Sequence, residues 1–210
     1  MGGERTRGGL SAAQFEDAQQ YLGRRFARVT ALDRRFEGIE FTDCTFDRCA
    51  LARTTFYRCN FIDCRFSVCD LAGAQVPNSS LRGVRFVETK LSGIDWTVAG
   101  MSTLSKLLLA VDFETCVLNY ASFFGMDLAG RSLIGCTAHD VDLRNANLTG
   151  AQLRHTDFAG ALFHATNLSR ADLTGATNYD IDPTANVVTK ARFSLPEAVS
   201  LLRGFDVVVE

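Results

Sequence analysis

Between Phe36 and Phe66 a phenylalanine or leucine falls at every fifth position: Phe36, Phe41, Phe46, Leu51, Phe56, Phe61 and Phe66. Mostly polar or small residues lie between them. Five residues turn an α-helix through about 500°, so successive large side chains would drift off any stripe. On a flat strand an odd spacing would throw them onto alternate faces. The spacing suits a backbone that turns a corner about every five residues and keeps one position pointing inward. Such a chain is a solenoid, each coil burying its large side chains on the coils above and below.

The register continues through Leu71, Val76, Leu81, Phe86, Leu91 and Trp96, then breaks. It resumes at Phe113 and runs through Leu118, Phe123, Leu128, Leu133, Ala138, Leu143, Leu148, Leu153, Phe158, Phe163, Leu168 and Leu173. Tyr21 and Phe26 extend it upstream. Phe113 follows Trp96 by 17 positions, three fives plus two. Two residues too many, or three too few, therefore lie between them. Two positions before most large residues stands a small one, such as Cys44, Thr54, Ser79, Ala121, Ala146 or Thr166. One large and one small inward side chain per five fill a narrow interior without voids. Met126 and Arg131 depart from this rule, and an inward Arg131 would need a partner.

All seven cysteines, Cys44, Cys49, Cys59, Cys64, Cys69, Cys116 and Cys136, occupy that small position. Their spacing lacks the CxxC of a zinc ribbon, and no histidines accompany them. They read as small buried thiols rather than metal ligands. An odd count in a reducing compartment argues against a disulfide framework. No metal or cofactor site is expected.

The break, "TVAGMSTLSKLLLAVD" (97–112), is too apolar for an idle solvent loop. Two readings stand. It is a protruding partner-binding loop carried by Met101, Leu104, Lys106, Leu107 and Leu108, or a bulged coil whose leucines still face inward.

Open solenoid ends need caps. Ser11 to Gln14 reads as a capping box opening a helix through about Gln20, so residues 1–20 form a lead-in and cap. Ser194 to Glu197 is a second capping box, with Pro196 in the first turn and Gly204 as the stop. Leu195, Val199 and Leu202 have helical spacing and should cover the last coil. The final "FDVVVE" (205–210) reads as a short strand. It pairs either within its own chain or with a twin; in the second case Leu202, Phe205, Val207, Val208 and Val209 form a dimer interface.

The 210 residues, 47% hydrophobic, suffice for one domain with a real core. A net charge of −2 argues against direct binding of nucleic acid. No run approaches the roughly 20 apolar residues of a membrane span. The opening "MGGERTRGGL" has no apolar segment of the signal-peptide kind, so the expected compartment is the cytoplasm. His139, His155 and His164 fall at different phases of the repeat and are expected on the surface without a Ser, Cys or Asp partner. With no assembled nucleophile, base and oxyanion site, no catalytic residue is expected, and binding is the better class.

The motifs "ANLTG" (146–150), "TDFAG" (156–160), "TNLSR" (166–170) and "ADLTG" (171–175) fit the A-[DN]-L-x-x consensus, and over residues 21–177 the chain resembles the pentapeptide-repeat family. The resemblance implies an all-β fold: a right-handed quadrilateral β-helix with four pentapeptides per coil, interrupted at 97–112. Short capping helices would close it, with residues 178–210 as a C-terminal cap and dimerisation strand. The break near "GIDW" (93–96) and the tail 177–210 resemble the quinolone-resistance and microcin-immunity type, which protects topoisomerases from poisons. That implies a cytoplasmic homodimer, without enzymatic activity or cofactor, that binds DNA gyrase or topoisomerase IV partly by DNA mimicry. The other reading is a structural or adaptor scaffold for some other protein partner. Residues 113–182 hold four basic and eight acidic groups, the direction mimicry needs. Arg48, Arg53, Arg58 and Arg65 dilute it at the N-terminal end. The Asp or Asn just before many large residues reads as a bonder of local backbone at the turn.

Overall fold

The structure, a computed structural model, describes residues 15–100, 110–205 and 207. The corners of the tube set its shape. The residue two positions after nearly every large one takes the left-handed conformation, as at Arg28, Asp33, Arg48, Asp63 and Asn145, with glycine at others such as Gly83 and Gly150. Each turns the chain through a corner, and three residues of extended backbone make the next side.

The strands are β1 (Gln20–Leu22), β2 (Arg25–Ala27), β3 (Arg35–Glu37), β4 (Glu40–Thr42), β5 (Thr45–Asp47), β6 (Thr55–Tyr57), β7 (Asn60–Ile62), β8 (Arg65–Ser67), β9 (Ser80–Val87), β10 (Ala110–Glu114) and β11 (Leu133–Ile134). All named pairings are parallel, and all but that of β10 with β9 keep one register throughout. Tyr21, Phe41, Phe61 and Leu81 form the ladder of side 1. Phe26, Phe46, Phe66, Phe86, Phe113 and Leu133 form side 2. Side 3 climbs through Thr30, Ala50, Asp70, Lys90 and Val117, and side 4 through Arg35, Thr55 and Gln75. Sides of five residues that recur every 20 make a four-cornered tube, the predicted β-helix.

The bore is solid. Phe46 lies on Phe66 with ring centroids 4.3 Å apart and planes 3° from parallel, and Phe41 lies on Phe61 at 5.0 Å and 13°. In-register stacking follows from parallel strands that present the same position on every rung.

The small position does more than fit. Ser79 Oγ donates to the Phe56 carbonyl at 2.7 Å and accepts from the Cys59 amide at 2.9 Å. Thr156 Oγ1 does the same with Leu133 and Cys136, at 2.7 and 3.2 Å, and Cys69 Sγ with Phe46 and Cys49, at 3.4 and 3.3 Å. A thiol or hydroxyl here donates to one buried corner group and accepts from another, which would otherwise be costly orphans. That is why cysteine, serine and threonine share the slot. Burial pushes the Cys59 and Cys64 thiols up, to about 11 and about 12. Met126 fits inside as an ordinary buried side chain. Arg131 stays half-buried, its Nε 3.5 Å from the Ala129 carbonyl.

The break is narrower than the sequence suggested. Thr97 to Gly100 still belong to the coil: the Asn78 amide donates to Val98 and the Gly100 amide to Ser79, at 3.0 and 2.8 Å. On its other flank Ala110 and Val111 pair with Arg82 and Val84 of β9, with a register shift between them. Asp95 bridges Ser122 and Lys90 bridges Val117, steps of 27 residues where the rungs elsewhere step by 20. Seven residues have been added to one coil, the two-residue excess of the register plus one full side.

Both ends differ from expectation. The predicted N-terminal helix is not met over residues 15–20: Asp17 and Ala18 turn and β1 starts at Gln20, while Ser11 to Gln14 lie outside the described residues. Phe15 closes the bore instead, edge-on to Phe26 at 5.0 Å and Phe36 at 5.3 Å. At the other end the ladder extends past residue 177, through Val187 and Arg192. The helix Glu197–Phe205 that follows is 3-10. Its tighter turn breaks the α-spaced stripe: Leu195 is 79% exposed, and Val199 and Leu202 are each 40% exposed. Phe193 and Leu201 pack on the core in their place. The capping-box side chains turn to the coil. Ser194 Oγ accepts from the Gly175 amide at 2.9 Å, and Glu197 Oε1 from the Asn178 amide at 2.8 Å. They satisfy the open edge of the last rung, where an exposed ladder would template association.

Candidate partner-binding surfaces

With the bore filled, chemistry is confined to the outward positions just before and after each large residue. In the C-terminal coils the predicted turn carboxylates hold the backbone as expected. Asp127, Asp142, Asp157 and Asp172 each accept, through Oδ1, from the amide two residues on, at 3.0–3.1 Å. These four precede Leu128, Leu143, Phe158 and Leu173, so one stands on each side of the tube. The second oxygen of each is turned to solvent or to a side-chain partner, and negative charge surrounds the rod rather than forming one stripe.

Ion pairs partly cancel the arginines of the N-terminal coils. Asp47 takes Arg25 at 2.9 Å and Arg48 at 3.3 Å, and Arg53 grips Asp33. Arg35 and Arg58 flank the Tyr57 ring at 4.4 and 5.0 Å, each a cation–π contact. The Asp33 carboxyl is held below its usual range by its hydrogen bond to Arg53, and Asp142 likewise by Arg144.

One histidine departs from expectation. His139 Nε2 lies 2.9 Å from Asp157 Oδ2, two positions the sequence separates by 18. The other Asp157 oxygen accepts from Asn178 Nδ2 at 2.9 Å. The Asn119 side chain holds the His139 amide at 3.1 Å. Only the 20-residue coil brings these groups onto side 3. No nucleophile stands beside the pair among these contacts, and it serves as a cross-rung tie.

The expected partner loop, Met101, Leu104, Lys106, Leu107 and Leu108, lies outside the described residues, and so do Val208 and Val209 of the expected dimer strand. Of the rest, Leu202, Phe205 and Val207 are 40%, 55% and 50% exposed, and neither Phe205 nor Val207 is in a strand. Leu202 and Val207 line a groove of about 680 Å³ between the last coil and the cap helix, together with Asn178, Tyr179, Glu197 and Val199. A second hollow, about 350 Å³, sits at mid-rod on side 2 between Arg65 and Arg85 above and Asp112, Glu114 and Ser132 below. No cluster of three metal-ligating side chains, and no helix long and apolar enough to cross a membrane, occurs among the described residues.

Family models for a pentapeptide repeat region and for pentapeptide repeats in eight copies match residues 39–106 and residues 121–160 and 142–177. No curated protein sequence matches the chain. Among solved structures, a trypsin-treated variant of QnrB1, described as a plasmid-mediated fluoroquinolone resistance protein, is similar at 22% identity and a TM-score of 0.80, over 93% of this chain and 94% of that one. Full-length QnrB1 is similar at 20% identity and a TM-score of 0.70, over 91% and 99%.

Proposed function

Because this chain belongs to the pentapeptide-repeat family, we propose that it is a non-enzymatic cytoplasmic protein that binds DNA gyrase or topoisomerase IV and protects it from poisons. The observation that carries the reading is the end-to-end match of the rod to QnrB1, a fluoroquinolone resistance protein, with 93% of one chain laid on 94% of the other. The turn carboxylates on all four sides of the C-terminal coils support a partly DNA-like contact, since a duplex also presents negative charge around a cylinder. The exposed Leu202, Phe205 and Val207 support a homodimer joined at the C-terminal ends. The segment 97–112, read from the sequence as carrying partner-binding residues, is the second contact.

The test is gyrase supercoiling with a fluoroquinolone or a peptide poison, with and without the protein. Restored supercoiling supports the reading; no rescue with either poison, and no complex with gyrase or topoisomerase IV, removes it. Replacing residues 101–109 by two residues returns that coil to 20 and should abolish protection while leaving the β-sheet spectrum unchanged. The arginine-rich N-terminal coils, which are not DNA-like, favour the second reading, an adaptor for another protein. Binding to neither topoisomerase would leave that one standing.

A further inference from the structure

Over the eight rungs from Arg25 to Asp172, side 2 carries a charge pattern that reverses about their midpoint, with Arg192 on a ninth rung beyond them. The outward column before its large residues reads Arg25, Thr45, Arg65, Arg85, Asp112, Ser132, Gln152 and Asp172 on eight successive rungs. The column after them reads Ala27, Asp47, Ser67, Val87, Glu114, Ile134, Arg154 and Thr174. A two-fold axis lying across this face between the rungs of Arg85 and Asp112 would set a second copy antiparallel. Each column would then oppose itself in reverse order. Arg85 meets Asp112, Arg25 meets Asp172, and Asp47 meets Arg154. Thr45 meets Gln152, Arg65 meets Ser132, and no like charges meet in either column. The same operation on side 3 brings Lys90 to Val117, Asp70 to Thr137 and Ala50 to Asp157, with no opposite charges. Isologous contacts require this self-complementarity.

We propose that side 2 is a lateral, antiparallel self-association face, distinct from the C-terminal ends. The mid-rod hollow of about 350 Å³ lies at the axis, with Arg85 on one wall and Asp112 on the other. Arg85 and Asp112 are ladder partners in one chain, yet neither makes an ion pair among the described residues. The Asp112 carboxylate spends one oxygen on the Ser132 amide, at 2.9 Å, and the other is open to a partner's guanidinium. The outer pairs extend existing ties, since Arg25 already holds Asp47 and Asp172 lies 3.6 Å from Arg192. Eight rungs span roughly 34 Å of a single tube face, below the standard area of a stable interface, so the contact is weak and salt-dependent.

The experiment is sedimentation equilibrium of the full chain at high concentration in low and high salt, for the wild type, Arg85→Asp, Asp112→Arg and an equimolar mixture of the two variants. Phe205→Asp serves as the control for the C-terminal contact. Circular dichroism confirms that each variant is folded. Each charge reversal alone should weaken the lateral association about tenfold or more. The mixture should restore it, because each copy then meets the opposite charge on the other. X-ray scattering should give the associated species nearly the length of one rod. Association that ignores salt and both reversals, variants that do not rescue each other when mixed, or a dimer about twice as long that only Phe205→Asp removes would each overturn the proposal. The inference stands independently of topoisomerase binding.

Discussion

Trp96 lies flat over Phe123, ring centroids 6.0 Å apart and planes 9° from parallel, although 27 residues separate them along the chain. Next to this pair Phe86 lies on Phe113 at 5.5 Å and 10°. The two stacks splice the coils on either side of the inserted residues. The aromatic core therefore runs on unbroken from the coil before the insertion to the coil after it.

Trp96→Ala should cost about 3–5 kcal/mol, because it empties a fully buried aromatic site. Trp96→Phe should cost much less. It keeps a ring on Phe123 and removes an indole N–H that finds no acceptor among the described residues. Urea unfolding followed by circular dichroism measures both, and equal losses would show that the stack is not the splice.

The thiols should be silent in the folded protein. All seven cysteines are buried and free, and burial holds Cys59 and Cys64 at about 11 and about 12. At pH 8 those two are almost wholly thiol, and although hydrogen bonds from Cys69 and Cys136 lower Cys49 and Cys116, burial keeps all seven out of reach of a reagent. Iodoacetamide should leave intact protein unmodified by mass spectrometry and label seven sites in urea. Rapid labelling of the native state would contradict the inward placement.

Val68 turns a corner at φ +55°, a conformation a β-branched side chain disfavours, and its side chain is exposed. Val68→Gly should raise stability by about 1 kcal/mol. Gly83→Ala should lower it: φ is +69°, and an added Cβ would collide with the Asp63 carboxylate. Thermal melts of the two variants should shift in opposite directions.

Acid should loosen the C-terminal coils. The Arg144 hydrogen bond holds Asp142 below its usual range. Burial opposes ionisation of Asp157 and Asp172, yet hydrogen bonds from Asn178 and His139, and from Thr174, leave both lowered. A carboxylate whose folded pKa lies below its unfolded value stabilises fully above about pH 5, and the effect disappears as pH falls through the folded value. The urea midpoint should hold steady near neutrality and drop below about pH 4. Asp157→Asn should flatten that drop; a midpoint that rises in acid would reverse the sign.

The period of five in Phe and Leu was enough to determine the solenoid, its inward face and the place of every cysteine. These depend on one local rule repeated on each side, and a repeated rule is visible in a linear string. The turn roles of Asp127 and Asp142 were legible for the same reason, since the bond spans two residues. The meeting of His139 with Asp157 was not, nor the alignment of Arg85 with Asp112, because each depends on which residues the coil stacks one turn apart. The number of residues inserted in the coil was hidden too: a register shows the excess only modulo five. The side chains of the C-terminal capping box were misread because capping-box chemistry is local, whereas Ser194 and Glu197 answer to amides of Gly175 and Asn178 some 19 residues away. Spacing alone thus determined what faces inward, because apolar burial needs only a direction. The tertiary structure alone decided what meets on the outside, because ion pairs and hydrogen bonds need a partner at a set distance.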